Sequence, residues 1–138
     1  MDKPTRIFLL VEDDPGDVFL MRRALHKAEF PSVLKVVTTG QLAIDYLYGE
    51  GEFRDRAQHP RPALIFLDLK LPYKNGFEIL KWIRSQGAFD RIVVVVLTSS
   101  NEERDMHQAY QHGARSFLVK PPTPQMIQDL MLSLESYW

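Results

Sequence analysis

The sequence predicts an α/β fold: a doubly wound parallel sheet of five strands with helices on both faces. Three observations carry this. Strand and helix patterns alternate five times along the chain, three of the strands are apolar runs without polar alternation, and most of the connections are short. An unbroken apolar run is the pattern of a strand covered on both sides, which right-handed strand–helix–strand crossovers produce in a parallel sheet.

The first such run, Ile7 to Val11, lies between Arg6 and the acidic cluster Glu12, Asp13 and Asp14. Pro15-Gly16 then turns the chain, and Val18, Met21, Leu25 and Ala28 recur at helical spacing as far as Phe30-Pro31. Val33 to Thr39 predicts a shorter strand nearer an edge, because Lys35 interrupts it. Gly40 to Tyr48 follows as a helix with Leu42, Ala43, Tyr46 and Leu47 on its apolar side. The stretch GEGEFRDRAQHPRP, Gly49 to Pro62, is rich in charge, Gly and Pro and lacks periodicity, so a solvated loop is expected. Its length leaves partner binding as the second reading.

Ala63 to Leu67 is the second unbroken run and leads straight into Asp68, after which Leu71-Pro72 and Asn75-Gly76 break the chain. Phe77, Ile79, Leu80, Trp82 and Ile83 predict an amphipathic helix to about Ser85, with Trp82 in the core. Ile92 to Leu97 is the third run and ends at Thr98-Ser99-Ser100. Asn101 is placed to cap the next helix, with Glu102 and Glu103 in its first turn, where the dipole favours anions. Met106, Ala109 and Tyr110 give that helix a weak apolar side, and it stops at His112-Gly113. Ser116 to Val119 forms a short last strand leading to Lys120-Pro121-Pro122. Thr123-Pro124 then starts a helix whose stripe is Ile127, Leu130, Met131 and Leu134.

A chain of 138 residues is most simply one domain with one sizeable core. Its net charge of -1 supplies no overall field towards nucleic acid or an anionic membrane. No apolar run approaches the length that crosses a bilayer, and MDKPTRIFLLVEDD turns acidic too soon for a signal peptide, so the cytoplasm is expected. The absence of cysteine excludes disulfides, thiolate metal sites and a cysteine nucleophile.

In a parallel sheet the residues following each strand share one edge, where ligands bind in open α/β folds. Here those residues are Glu12, Asp13 and Asp14, then Asp68, Thr98 and Lys120. Carboxylates gathered at about 4 Å repel by roughly 1 to 4 kcal/mol per pair and call for a cation. With oxygen ligands only, a hard ion such as Mg²⁺ is the natural choice. The four histidines, His26, His59, His107 and His112, lack metal-ligand spacing. A carboxylate beside Mg²⁺, a hydroxyl and a lysine is a phosphoryl-transfer set. In such a set Asp68 can attack phosphorus, Lys120 and the metal can neutralise phosphoryl oxygens, and Thr98 can donate to one of them. Taken singly, each is more often a cap, a strand-end hydroxyl or a solvated charge; it is their joint occurrence at four strand ends that argues for a site.

At these residues the sequence resembles the receiver domain of bacterial two-component response regulators, over essentially the entire chain. VEDD after the first strand, LDLKLP with NG after the third, LTSS after the fourth and VKPP after the fifth stand in that family's order. The resemblance implies a flavodoxin-like fold with strand order 2-1-3-4-5 and Asp68 as phosphoacceptor from a histidine kinase. It implies Mg²⁺ held by Glu12, Asp13, Asp68 and the Lys70 backbone carbonyl, and Thr98 and Lys120 as switch hydroxyl and phosphate-binding lysine. It further implies a cis bond before Pro121 and Phe117 as the aromatic switch residue. Glu12 departs from the commoner aspartate, a longer arm suited to binding through water, and Lys70 is a basic residue two positions after the acceptor.

The chain ends at the final helix, so a single receiver, residues 1–138, without an output domain is expected. LLVEDDPGD, the charged loop and PYKNG are most similar to the small receivers that partner phytochromes. That similarity implies a phytochrome-type histidine kinase as partner. It also implies a homodimer through the fourth helix, fifth strand and fifth helix, a face that the aromatics Tyr110, Phe117 and Tyr137-Trp138 would suit. Such a protein is a phosphoacceptor rather than an enzyme, beyond catalysing its own phosphorylation and dephosphorylation. Three rivals stand beside it. A pseudo-receiver would act by protein contacts alone. A haloacid-dehalogenase-type phosphatase needs an acid where Lys70 stands, and a flavin module needs a hydroxyl-rich loop where the acidic cluster stands.

Overall fold

The computed structural model describes residues 5–99 and 103–137. Its elements are β1 (Arg6–Val11), α1 (Pro15–Lys27), β2 (Ser32–Val37), α2 (Gly40–Tyr48), β3 (Leu64–Asp68), α3 (Gly76–Ser85), β4 (Val93–Thr98), α4 (Glu103–Gln111), β5 (Ser116–Val119) and α5 (Pro124–Ser133). Short 3₁₀ turns lie at Gly51–Phe53, Gly87–Phe89 and Glu135–Tyr137. The strands form one parallel sheet in the order β2-β1-β3-β4-β5. The implied order is therefore the observed one, and the strand carrying Lys35 is at an edge.

Alternate residues of the apolar strands feed two different cores, which is why those strands carry no polar residue. Leu9, Val11, Ile65, Leu67, Val94 and Val96 pack under α2, α3 and α4, against Ala43, Tyr46, Leu47, Ile79, Leu80, Ile83 and Ala109. Phe8, Leu10, Leu64, Phe66, Val93, Val95 and Leu97 face α1 and α5 on the other side, against Met21, Ala24, Leu25, Ile127, Leu130, Met131 and Leu134. Helix starts are set by side chains accepting from exposed N–H groups: Asp14 for α1, Thr39 for α2, Asn75 for α3 and Thr123 for α5. Thr39 is thus a cap, and β2 ends at Val37 rather than running to Thr39.

The structure departs from the sequence expectation at further points. The stretch from Gly49 to Pro62 is pinned down rather than merely solvated. Phe53 is buried with its ring 5.1 Å from that of Tyr46, the Tyr46 hydroxyl donates to the Pro60 carbonyl at 2.8 Å, and Arg56 donates to the Tyr46 carbonyl at 2.7 Å near the end of α2. Tyr110 does not share the apolar side of α4: it is 49% exposed, while Ala109 is buried and Met106 packs on the core. One residue along a helix turns the side chain by about 100°, which takes Tyr110 off the face that Ala109 occupies. Phe117 is only 8% exposed and belongs to the core beneath α4, so it does not add to a surface face. Trp82 sits at the core margin, half-buried beside Tyr48 and Phe89. The Asn101 cap, Glu102 and Trp138 lie outside the described residues.

Candidate functional site

Strand register builds the site. Val11 pairs with Leu67, so Glu12 and Asp68 emerge side by side from β1 and β3. Asp68 pairs with Leu97, and Thr98 pairs with Val119, which brings Thr98 and Lys120 to the same edge. Among the described residues the buried polar or charged side chains are Glu12, Asp68 and Thr98, 1%, 4% and 1% exposed. All three stand at this edge. Burying ionisable groups is costly unless charge and hydrogen bonds compensate, so their concentration here marks a place where chemistry outweighs packing.

Lys120 supplies part of the compensation. Its ammonium is bonded to Glu12 and to Asp17 Oδ2 at 2.9 Å, and lies 3.2 Å from Asp68 Oδ2. The other Asp68 oxygen, Oδ1, accepts from the Lys70 backbone N–H at 3.1 Å, while the Lys70 side chain is exposed. The loop after Asp68 is drawn back beneath α3 by the Gly76 N–H bond to the Leu69 carbonyl at 2.9 Å. A Cβ on Gly76 would lie 2.7 Å from the Leu69 Cα and closer still to the Asp68 carbonyl, so the approach requires glycine. The peptide bond between Lys120 and Pro121 is cis, as the resemblance implied.

Glu12, Asp13 and Asp68 each place a carboxylate oxygen within 4.8 Å of the others. Burial pushes the Glu12 carboxyl up to about 7, with the neighbouring Asp68 adding to the shift and Lys120 opposing it. Burial alone would lower the Lys120 pKa, but its bonds to Glu12 and Asp17 and the charge of Asp68 raise it instead. The two directions are compatible: one firmly held ammonium faces several acids, and the surplus falls on the most buried of them. Three oxygen donors with unbalanced negative charge fit a hard divalent cation. No histidine joins this cluster among the described residues.

The sequence-predicted residues Glu12, Asp13, Asp68, Thr98 and Lys120 thus converge on one edge, while Phe117 lies buried in the neighbouring core. Asp17 was missed. Its signal is visible in retrospect as DPGD, a cap and proline followed by a carboxylate in the first helical turn, but nothing local tells that this carboxylate reaches Lys120.

A response regulator receiver domain model matches residues 8–131. Response regulator Rcp1 of Synechocystis sp. is 34% identical over 135 residues, covering 98% of this chain and 90% of its own. The bacteriophytochrome response regulator RtBRR superposes with a TM-score of 0.85 at 40% identity, covering 98% of this chain and 81% of that one. The phosphorylated cyanobacterial phytochrome response regulator RcpA does so at 0.79 and 33% identity, covering 98% and 94%. Rcp1 has also been solved in a Mn²⁺-bound form, with a TM-score of 0.76 at 34% identity and coverage of 96% and 94%.

Proposed function

Because the chain belongs to the response regulator receiver family of two-component signalling proteins, we propose that it is a phosphorylation switch whose acceptor is Asp68. The observation that carries this is a buried aspartate at the carboxyl end of the central strand β3, with an ammonium 3.2 Å from one oxygen and a backbone N–H on the other. In the proposed reaction an Asp68 oxygen attacks the phosphorus of a phosphohistidine, the P–N bond breaks, and the histidine leaves with a proton. Lys120 turns from Glu12 and Asp68 to a transferred phosphoryl oxygen, and Thr98 donates to another.

Mg²⁺ would be held by Glu12, Asp13, Asp68 and the Lys70 carbonyl, where it supplies neutralisation of the transferring oxygens. The three clustered carboxylates support this, as does the Mn²⁺-bound form of Rcp1. Phosphorylation turns the Asp68 carboxylate into an acyl phosphate, so it adds only about one further negative charge but three strong acceptor oxygens at the mouth of the pocket. In the proposed switch Thr98 moves inward and Phe117 repacks beside α4, reshaping the face formed by α4, β5 and α5. The chain then acts as a phosphoacceptor that catalyses its own phosphorylation and dephosphorylation rather than as an enzyme on other substrates.

The names of RtBRR and RcpA support a phytochrome-type histidine kinase as the donor. We further propose a homodimer through the α4, β5 and α5 face. Exposed Tyr110 and Tyr137 support it, the latter with Arg115 stacked 4.8 Å from its ring centre. We propose that residues 1–138 form one receiver domain in the cytoplasm, binding neither nucleic acid nor membrane. No described helix is long and apolar enough to cross a membrane.

Intact-mass spectrometry after incubation with acetyl phosphate tests the acceptor. Wild type should gain one phosphoryl group only when Mg²⁺ is present, and Asp68→Asn should gain none. Absence of an adduct from both acetyl phosphate and a histidine kinase would instead indicate a pseudo-receiver acting by contacts alone. Sustained turnover of a free phosphomonoester would indicate a phosphatase.

A further inference from the structure

Asp17 occupies the third helical position of α1, three residues after the cap Asp14. A Glu at that position ordinarily folds back to the backbone N–H of the cap residue, completing a reciprocal capping pair. Here that N–H is taken by another residue: Asp14 N donates to Glu12 Oε2 at 3.2 Å. Asp14 keeps its half of the pair, accepting from Gly16 N at 2.7 Å and Asp17 N at 3.4 Å. The Asp17 carboxylate is released from helix capping and reaches Lys120 Nζ at 2.9 Å, across 103 positions of sequence.

An ammonium has three protons to donate. Those of Lys120 face Glu12, Asp17 and Asp68. Glu12 and Asp68 belong to the three-carboxylate cluster, and Asp17 does not. Glu12 and Asp68 would hold a divalent cation and the phosphoryl group, which would leave Asp17 as the carboxylate free to orient the lysine.

Resting on the function proposed above, we propose that Asp17 is a positioning residue. It tethers the Lys120 ammonium at the rim of the pocket, so that the lysine meets the incoming phosphoryl group instead of collapsing onto Glu12 and Asp68. Asp17 touches neither metal nor phosphoryl group and acts only through Lys120.

The test measures the rate of phosphorylation by acetyl phosphate at saturating Mg²⁺ for wild type, Asp17→Asn, Asp17→Glu, Lys120→Gln and the Asp17→Asn/Lys120→Gln double variant. Thermal melts are run alongside to check folding; Asp17 is part-exposed, and Asp17→Asn nearly preserves its shape. Asp17→Asn keeps an oxygen acceptor but loses the charge, and should slow phosphorylation by roughly threefold to tenfold, the size of the charge assistance removed from one hydrogen bond. Asp17→Glu should recover at least half of the rate, and Asp17→Asn should change nothing further once Lys120 is Gln. An unchanged or faster Asp17→Asn overturns the tether. So does an equal loss in the Lys120→Gln background, because Asp17 would then act independently of the lysine. Wild type that takes no phosphoryl group at all overturns the proposed function itself, and the tether with it.

Discussion

At the scale of single residues, Tyr46 shows how one hydroxyl ties a charged loop to the core. Burial raises its pKa above the usual 10, partly opposed by Arg56. The folded state therefore favours the neutral phenol. That contribution to stability is complete below pH 10 and is lost as pH rises through the higher folded value. Tyr46→Phe should cost about 1 kcal/mol at neutral pH, by leaving the Pro60 carbonyl without its donor. In urea denaturation the gap between variant and wild type should shrink above about pH 10, since only the tyrosine is penalised there; a gap independent of pH would refute the assignment. Residues whose role follows from their place at a strand end, such as Asp68 and Lys120, were legible in the sequence. The Asp17 contact and the bond from the Tyr46 hydroxyl were not, although Tyr46 itself falls on the predicted apolar side of its helix, because their partners lie on other elements and only the folded chain brings them together.

At the scale of elements, hydrophobic period and turn chemistry sufficed for every strand and helix: α2 and β5 fall where the pattern puts them, and other bounds move by a few residues. The exceptions have physical causes. A hydroxyl at Thr39 is worth more as a cap than as another strand residue, and Phe53 is a lone aromatic in a charged stretch that no periodicity flags. The joint between β3 and α3 is closely packed backbone against backbone. Gly76→Ala should destabilise the protein by roughly 1–3 kcal/mol, because backbone rather than a flexible side chain blocks the new methyl group. It should also slow phosphorylation of Asp68, whose carbonyl must shift. Chemical denaturation and the acetyl phosphate assay read the two effects. A second joint is made by Arg84 on α3, whose guanidinium donates to the carbonyls of Gly113 at 3.0 Å and Ile92 at 2.9 Å. Arg84→Met leaves those carbonyls unpaired and should cost about 2 kcal/mol or more in the same denaturation series.

At the scale of the whole molecule, two apolar layers share one sheet, so neither can persist without the other. Leu130→Ala in α5, on the α1 and α5 side, should cost about 2–5 kcal/mol. In a Trp138→Phe background, it should shift the Trp82 fluorescence transition, which reports the opposite layer, as far as it shifts the far-ultraviolet circular dichroism transition. Divergence of the two curves would mean that the layers unfold separately. The same architecture leaves β2 and β5 as the sheet's two outermost strands. An unpaired strand edge is a template on which a neighbouring copy can extend the sheet, and proteins blunt it with charge or brevity. Both devices are present: Lys35 interrupts the apolar run of β2, and β5 is only 4 residues long. A chain with almost no net charge has little general repulsion to keep its copies apart. Its resistance to fibrillar stacking at high concentration therefore falls largely to one lysine and one short strand.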